Sequence, residues 1–80
     1  MKLELVVSDD CHKPELLVSE DLITVRIGLN HDFDDILDVC AGKLSNDQLA
    51  LIHKLWSDDD FPRTFKRVGA NLIITERDAQ

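Results

Sequence analysis

The chain has 80 residues, enough for one small domain with a limited core. Hydrophobic residues make up 44% and aromatics 5%, which argues against a disordered chain and for a mainly aliphatic core. The net charge of -7, from 16 acids and 9 bases, argues against phosphate binding over the whole surface and toward a basic partner.

Residues 2–7, Lys-Leu-Glu-Leu-Val-Val, alternate and stop at Ser8, Asp9 and Asp10. This predicts a strand with Leu3, Leu5 and Val7 turned inward. Residues 11–14 read as a loop. The apolar run Leu16, Leu17, Val18 fits either an edge strand or one helical turn, because periodicity does not separate the two. Glu20 and Asp21 mark a turn. Residues 22–29 are the clearest strand, with Ile23, Val25, Ile27 and Leu29 facing one way and Thr24, Arg26 and Gly28 the other. A glycine at 28 suggests a bulge or a close backbone contact.

A helical hairpin follows. Phe33, Ile36, Leu37 and Cys40 recur at helical spacing, so the first helix is expected over residues 33–41. Asp32 caps it, with Asn30 as the competing cap. Asp34 and Asp35 sit where the helix dipole favours negative charge, and Gly42 ends the helix. Ser45 and Gln48 form a capping box for the second helix, and Leu44 and Leu49 a hydrophobic staple. Leu49, Ile52, Leu55 and Trp56 form its buried stripe, widened by Leu51. Ser57 and Asp58 begin its exit, and Pro62 forbids much continuation. A linker of Gly42, Lys43 and Leu44 requires near-antiparallel helices.

Residues 58–62 then read as an exposed acidic turn anchored by Phe61. Residues 64–68 and 72–76 flank Gly69, Ala70 and Asn71 as a terminal hairpin with a three-residue loop. Residues 77–80 are expected to fray. The whole reads as one domain over residues 1–80. It is an α+β fold: an antiparallel sheet of about four strands with the two-helix hairpin packed on one face, in the order β-β-α-α-β-β.

Chemistry-bearing motifs are sparse. Cys11, His12, Cys40 and His53 are metal-ligand types, but no zinc spacing such as Cys-x-x-Cys relates them. The Asp runs lack the glycine and terminal glutamate of a calcium loop. No nucleophile triad or glycine-rich phosphate loop occurs, so no enzymatic activity, metal or cofactor is expected. Two cysteines are too few for a disulfide framework, and Cys40 on an apolar helix face reads as a reduced core thiol. With no signal peptide, transmembrane run or lipidation motif, a cytoplasmic location is expected.

Charge is therefore the main functional signal. The acids are 12 Asp and 4 Glu, and a short Asp side chain holds its carboxylate near the backbone with few rotors. Residues 1–60 hold 14 acids and 5 bases, a charge of -9. Residues 61–80 hold 2 acids and 4 bases (Arg63, Lys66, Arg67, Arg77), a charge of +2. Antiparallel helices would set Asp58, Asp59 and Asp60 near Asp32 and Asp34, with Asp35 and Asp38 on the adjoining outer side, giving the hairpin one acidic end. The plain alternative for these seven aspartates is solubility charge. For the basic hairpin it is pairing with the acidic half or protection of an edge strand.

This format, a small, Asp-rich, motif-free α+β chain, resembles small phage-encoded inhibitors. These include anti-CRISPR proteins and DNA mimics of the uracil-DNA glycosylase inhibitor type. The resemblance rests on format and charge. It implies a stoichiometric protein that blocks a nucleic-acid-binding groove in a host defence or repair complex. The expected partner is then a basic protein or ribonucleoprotein complex, met by Asp32, Asp34, Asp35, Asp38, Asp58, Asp59 and Asp60. Neither direct nucleic-acid binding nor a membrane is expected. The alternative is a structural or assembly protein, most simply a homodimer that pairs through an edge strand or through the sheet face carrying Val6, Thr24 and Arg26.

Overall fold

The apolar residues of three strands and both helices meet in one cluster: Leu3, Leu5, Ile23, Val25, Ile27 and Ile74 from strands, Ile36, Cys40, Ile52 and Leu55 from helices. A computed structural model describes residues 2–77 and orders them as β1 (Lys2–Ser8), β2 (Glu15–Val18), β3 (Leu22–Gly28), α1 (Phe33–Cys40), α2 (Asn46–Ser57), β4 (Arg63–Val68) and β5 (Asn71–Glu76). The clustered strand residues share one sheet face by register, so both helices lie on that face. The result is a two-layer α+β domain. Leu5, Val25, Ile36, Ile52 and Leu55 have no exposed surface. Each contributes roughly 1.5–3 kcal/mol relative to an exposed position.

The sheet departs from the expected antiparallel sheet of about four strands and from the order β-β-α-α-β-β, because residues 15–18 add a third strand before the helices. It has five strands in the order β2-β3-β1-β5-β4, and it is mixed. β1 and β3 run parallel, with Leu5 beside Val25, while every other neighbouring pair is antiparallel. Two reversals produce this. The chain turns back after β1, lays down β2 two positions away, and turns again so that β3 fills the gap. Residues 9–14 therefore span two strand spacings, about 10 Å. The run 16–18 is an edge strand rather than a helical turn, because its backbone pairs with Thr24 and its neighbours.

Gly28 ends β3, and its role is the close contact rather than a bulge. A Cβ built on Gly28 would stand 2.3 Å from the carbonyl oxygen of Cys11. The loop after β1 thus folds directly over the strand end. Leu29, expected inward, lies beyond the strand and is 70% exposed. Val7 is half-buried against the core, and its neighbour Val6 is buried on the opposite face.

The helices start where the capping patterns place them. Asp32 accepts from the Asp35 backbone N–H, and the Asp35 carboxylate accepts from the Asp32 N–H, which is a complete capping box. Asn30 plays no part in it. Ser45 and Gln48 make the corresponding pair on α2. α1 ends one residue earlier than expected, at Cys40, with Ala41 as its cap and Gly42 at φ +72° just beyond. Of the α1 stripe, Ile36 and Cys40 are fully buried, but Leu37 stays 38% exposed.

The terminal hairpin turns through two residues, Gly69 and Ala70, not three. Asn71 already pairs with Val68. Gly69 has φ +62°, which suits the first position of a tight hairpin turn. Arg77 is held by its N–H to the Pro62 carbonyl at 2.9 Å. The rest of the end expected to fray, residues 78–80, lies outside the described residues.

Candidate functional site: the acidic end of the helical hairpin

α1 and α2 come together through an aromatic contact. The Phe33 ring meets His53 edge-on at a centroid distance of 4.7 Å and Trp56 at 5.8 Å; His53 and Trp56 are 6.1 Å apart. Phe33 is the first residue of α1, and Trp56 is the last but one of α2. The start of α1 therefore lies beside the end of α2, which is antiparallel packing. Asp32 and Asp34 adjoin Phe33 in the chain, and Asp58, Asp59 and Asp60 follow Trp56 within four residues. Asp38 lies one turn further along α1 from Asp34.

The seven aspartates are not equivalent. Asp32 and Asp35 are engaged in the capping box. An Asp58 carboxylate oxygen accepts from the Asp60 N–H at 3.0 Å and shapes the turn. Asp59 is ion-paired with Arg63 at 3.0 Å, yet its side chain is 97% exposed. Asp34, Asp38 and Asp60 are exposed and have no ion pair among the described residues. Four of the seven thus have internal structural work, and three point only to solvent.

Arg63 ties this end together: its pair with Asp59 is the pairing with the acidic half expected as the plain alternative, while its bond to Leu55 was not read from the sequence. Its guanidinium donates to the Leu55 carbonyl at 2.9 Å as well as to Asp59, and it sits 5.1 Å from the Phe65 ring. It thereby satisfies a carbonyl in the last turn of α2 that the helix itself leaves open. The i, i+4 spacing from Asp59 to Arg63 was the available signal. Phe61 anchors the turn beneath Lys54, whose ammonium lies 5.3 Å from the ring centroid.

The metal-ligand types do not converge. Cys40 is a core thiol, and burial pushes its pKa up while nearby Lys43 opposes the shift. Cys11, read as an ordinary loop residue, is buried, and its thiol donates to the Lys13 carbonyl at 2.9 Å. His53 belongs to the aromatic cluster. Among the described residues no group of three or more His, Cys, Asp or Glu side chains is placed to hold a metal ion. His31 instead takes a structural position: its Nδ1 accepts from the Gly28 N–H at 2.8 Å.

A surface cleft of about 510 Å³ opens at the start of β1 between Lys2, Glu4, Leu51, Thr64 and Glu76, and none of the seven aspartates lines it. Among the described residues no helix is long and apolar enough to cross a membrane. Compared with known proteins, the chain matches no family model, no curated protein and no solved structure.

Proposed function

We propose that the chain is a non-catalytic binding module, an inhibitor that sets the acidic end of its helical hairpin against a basic, nucleic-acid-binding surface of a partner protein or ribonucleoprotein complex. One observation carries the reading. The Phe33–Trp56 contact brings together the two segments that carry these Asp residues, beside one half-exposed aromatic cluster, and among the described residues only Asp59 of the seven pairs with a cation. Asp34, Asp38 and Asp60 are the carboxylates free to replace phosphates on the partner's lysines and arginines. The capping box, the Asp58 turn and Arg63 hold the scaffold, so little ordering entropy is lost on docking. Phe33 and Trp56 supply the apolar centre that charge alone lacks, since interface energy concentrates on such rings. Inhibition is by competition, in the manner of a DNA mimic or anti-CRISPR protein.

The test is an affinity pull-down from host lysate at low and high salt, with double-stranded DNA as competitor. A basic, nucleic-acid-handling partner should be captured at low salt and released by salt or DNA. Joint reversal of Asp34, Asp38 and Asp60 to Lys should abolish capture, whereas reversal of Asp9 and Asp21, on other loops, should spare it. Capture that survives both the triple reversal and the DNA refutes the reading.

A second reading, self-assembly through an edge strand, draws on β2. Leu17 and Val18 there are 55% and 62% exposed, with no Lys, Arg or Pro inside the strand to block pairing. A sedimentation coefficient that rises with concentration equally at low and high salt would favour it.

A further inference from the structure

The opposite edge of the sheet differs in sign from the rest of the molecule. β4 is the outermost strand, next to β5 alone, and five of its six residues are exposed. The hairpin register determines which of its backbone groups are unpaired. The bond from the Arg77 N–H to the Pro62 carbonyl marks an inward-facing pair, and the alternation then makes Thr64, Lys66 and Val68 the residues bonded to β5. The N–H and C=O groups of Arg63, Phe65 and Arg67 face outward, three donors and three acceptors in a row along an open edge.

The side chains on that edge are specific in type. Phe65 is 53% exposed and Val68 49% exposed. Lys66 and Arg67 are exposed and make no ion pair among the described residues. Pairing β4 with its own copy about a two-fold at Phe65 would set Arg63 opposite Arg67, and a two-fold at Lys66 would set Lys66 opposite its own copy. Cross-strand neighbours of like charge are unfavourable, and those of opposite charge favourable. The edge therefore discriminates against a second copy and in favour of an acidic strand.

We propose that the outer edge of β4 is a strand-addition site for an extended acidic segment of a partner protein. Its pattern follows from the register. An antiparallel segment would place adjacent acids opposite Arg67 and Lys66, and an apolar residue next in sequence, opposite Phe65. The backbone supplies affinity through Arg63, Phe65 and Arg67; the alternate side chains supply specificity. The edge meets the acidic end at Arg63 but is opposite to it in charge, and its test reads Phe65 and Arg67, so it stands or falls apart from the function proposed above.

The probe is a blocked synthetic peptide, Thr-Val-Glu-Glu-Val-Thr, titrated into the isotope-labelled full chain and followed by amide chemical shifts. Saturable shifts are expected at Phe65 and Arg67, with little change at Asp34 or Asp38. Replacing both peptide glutamates by lysine should weaken binding at least tenfold. Methylating the peptide amide that faces Phe65 should do the same. In K66E/R67E, whose changes are on exposed side chains, the preference should invert toward the lysine peptide, with thermal unfolding showing that the fold is kept. Equal binding of the two peptides, indifference to methylation, or shifts confined to another surface would each overturn the proposal.

Discussion

Gly28→Ala should destabilise the chain by about 2 kcal/mol, through a contact rather than a backbone angle. The added methyl would lie 2.3 Å from the Cys11 carbonyl oxygen, well inside the 3.0 Å that real Cβ contacts essentially never breach. Both sides of the clash are backbone, so relief requires moving the loop or the end of β3. The loop is held by the Asp9 N–H to the Ala70 carbonyl at 3.3 Å, the Asp10 N–H to the Ser8 hydroxyl at 3.2 Å, and the Cys11 N–H to the Ser8 carbonyl at 3.4 Å. Losing one or two such bonds costs about 1 kcal/mol each. Strain from overpacking adds about 1–3 kcal/mol. The smaller conformational freedom of alanine in the unfolded chain returns about 0.4–1 kcal/mol. A net loss of about 2 kcal/mol lowers Tm by roughly 8–16 °C in a domain of this size. Urea and thermal unfolding measure the loss, and thiol labelling locates it, because a displaced loop exposes Cys11. Gly42→Ala is the control: nothing lies within 4 Å of its added Cβ, so it carries only the left-handed backbone penalty and leaves Cys11 protected. A Gly28→Ala protein as stable as the parent, with Cys11 labelling no faster, would refute the steric reasoning.

Two further predictions concern the core thiol and the arginine staple. Burial raises the Cys40 pKa above its ordinary value, so the unfolded chain loses this proton first as pH rises. The stabilising contribution is complete below the unfolded thiol pKa of about 8.5 and is lost as pH climbs through the raised folded value. With no tyrosine in the chain, the parent should lose stability above about pH 8.5 more steeply than Cys40→Ala, and equal slopes in urea titrations across that window would contradict this. Arg63→Leu should cost about 1.5–3 kcal/mol, because the guanidinium is mostly buried and donates to the Leu55 carbonyl. Asp59→Ala should cost little, and the coupling between the two should stay under about 1 kcal/mol because Asp59 is open to solvent. A double-mutant cycle measures this, and a coupling well above that value would show the pair to be worth more than its exposure allows.

Local chemistry was legible in the chain itself. Ser45 announced the start of α2, and Asp32, with Asn30 competing, that of α1, because a capping side chain and its target N–H lie three residues apart, within reach before any tertiary contact forms. The alternation of residues 22–28, the core face of Ile52 and Leu55, and the antiparallel return of α2 along α1 followed from period and linker length. What only the tertiary structure decided was pairing between distant segments. The sequence does not reveal that β3 slides between β1 and β2 and runs parallel to β1, since alternation shows which side chains face inward but not which strand lies alongside. Nor does it reveal that Cys11 presses on Gly28, that Arg63 reaches back to Leu55, or that four of the seven aspartates serve the scaffold while Asp34, Asp38 and Asp60 do not. Those outcomes depend on where the folded chain brings remote atoms within a few ångströms. Short-range rules carry no term for that.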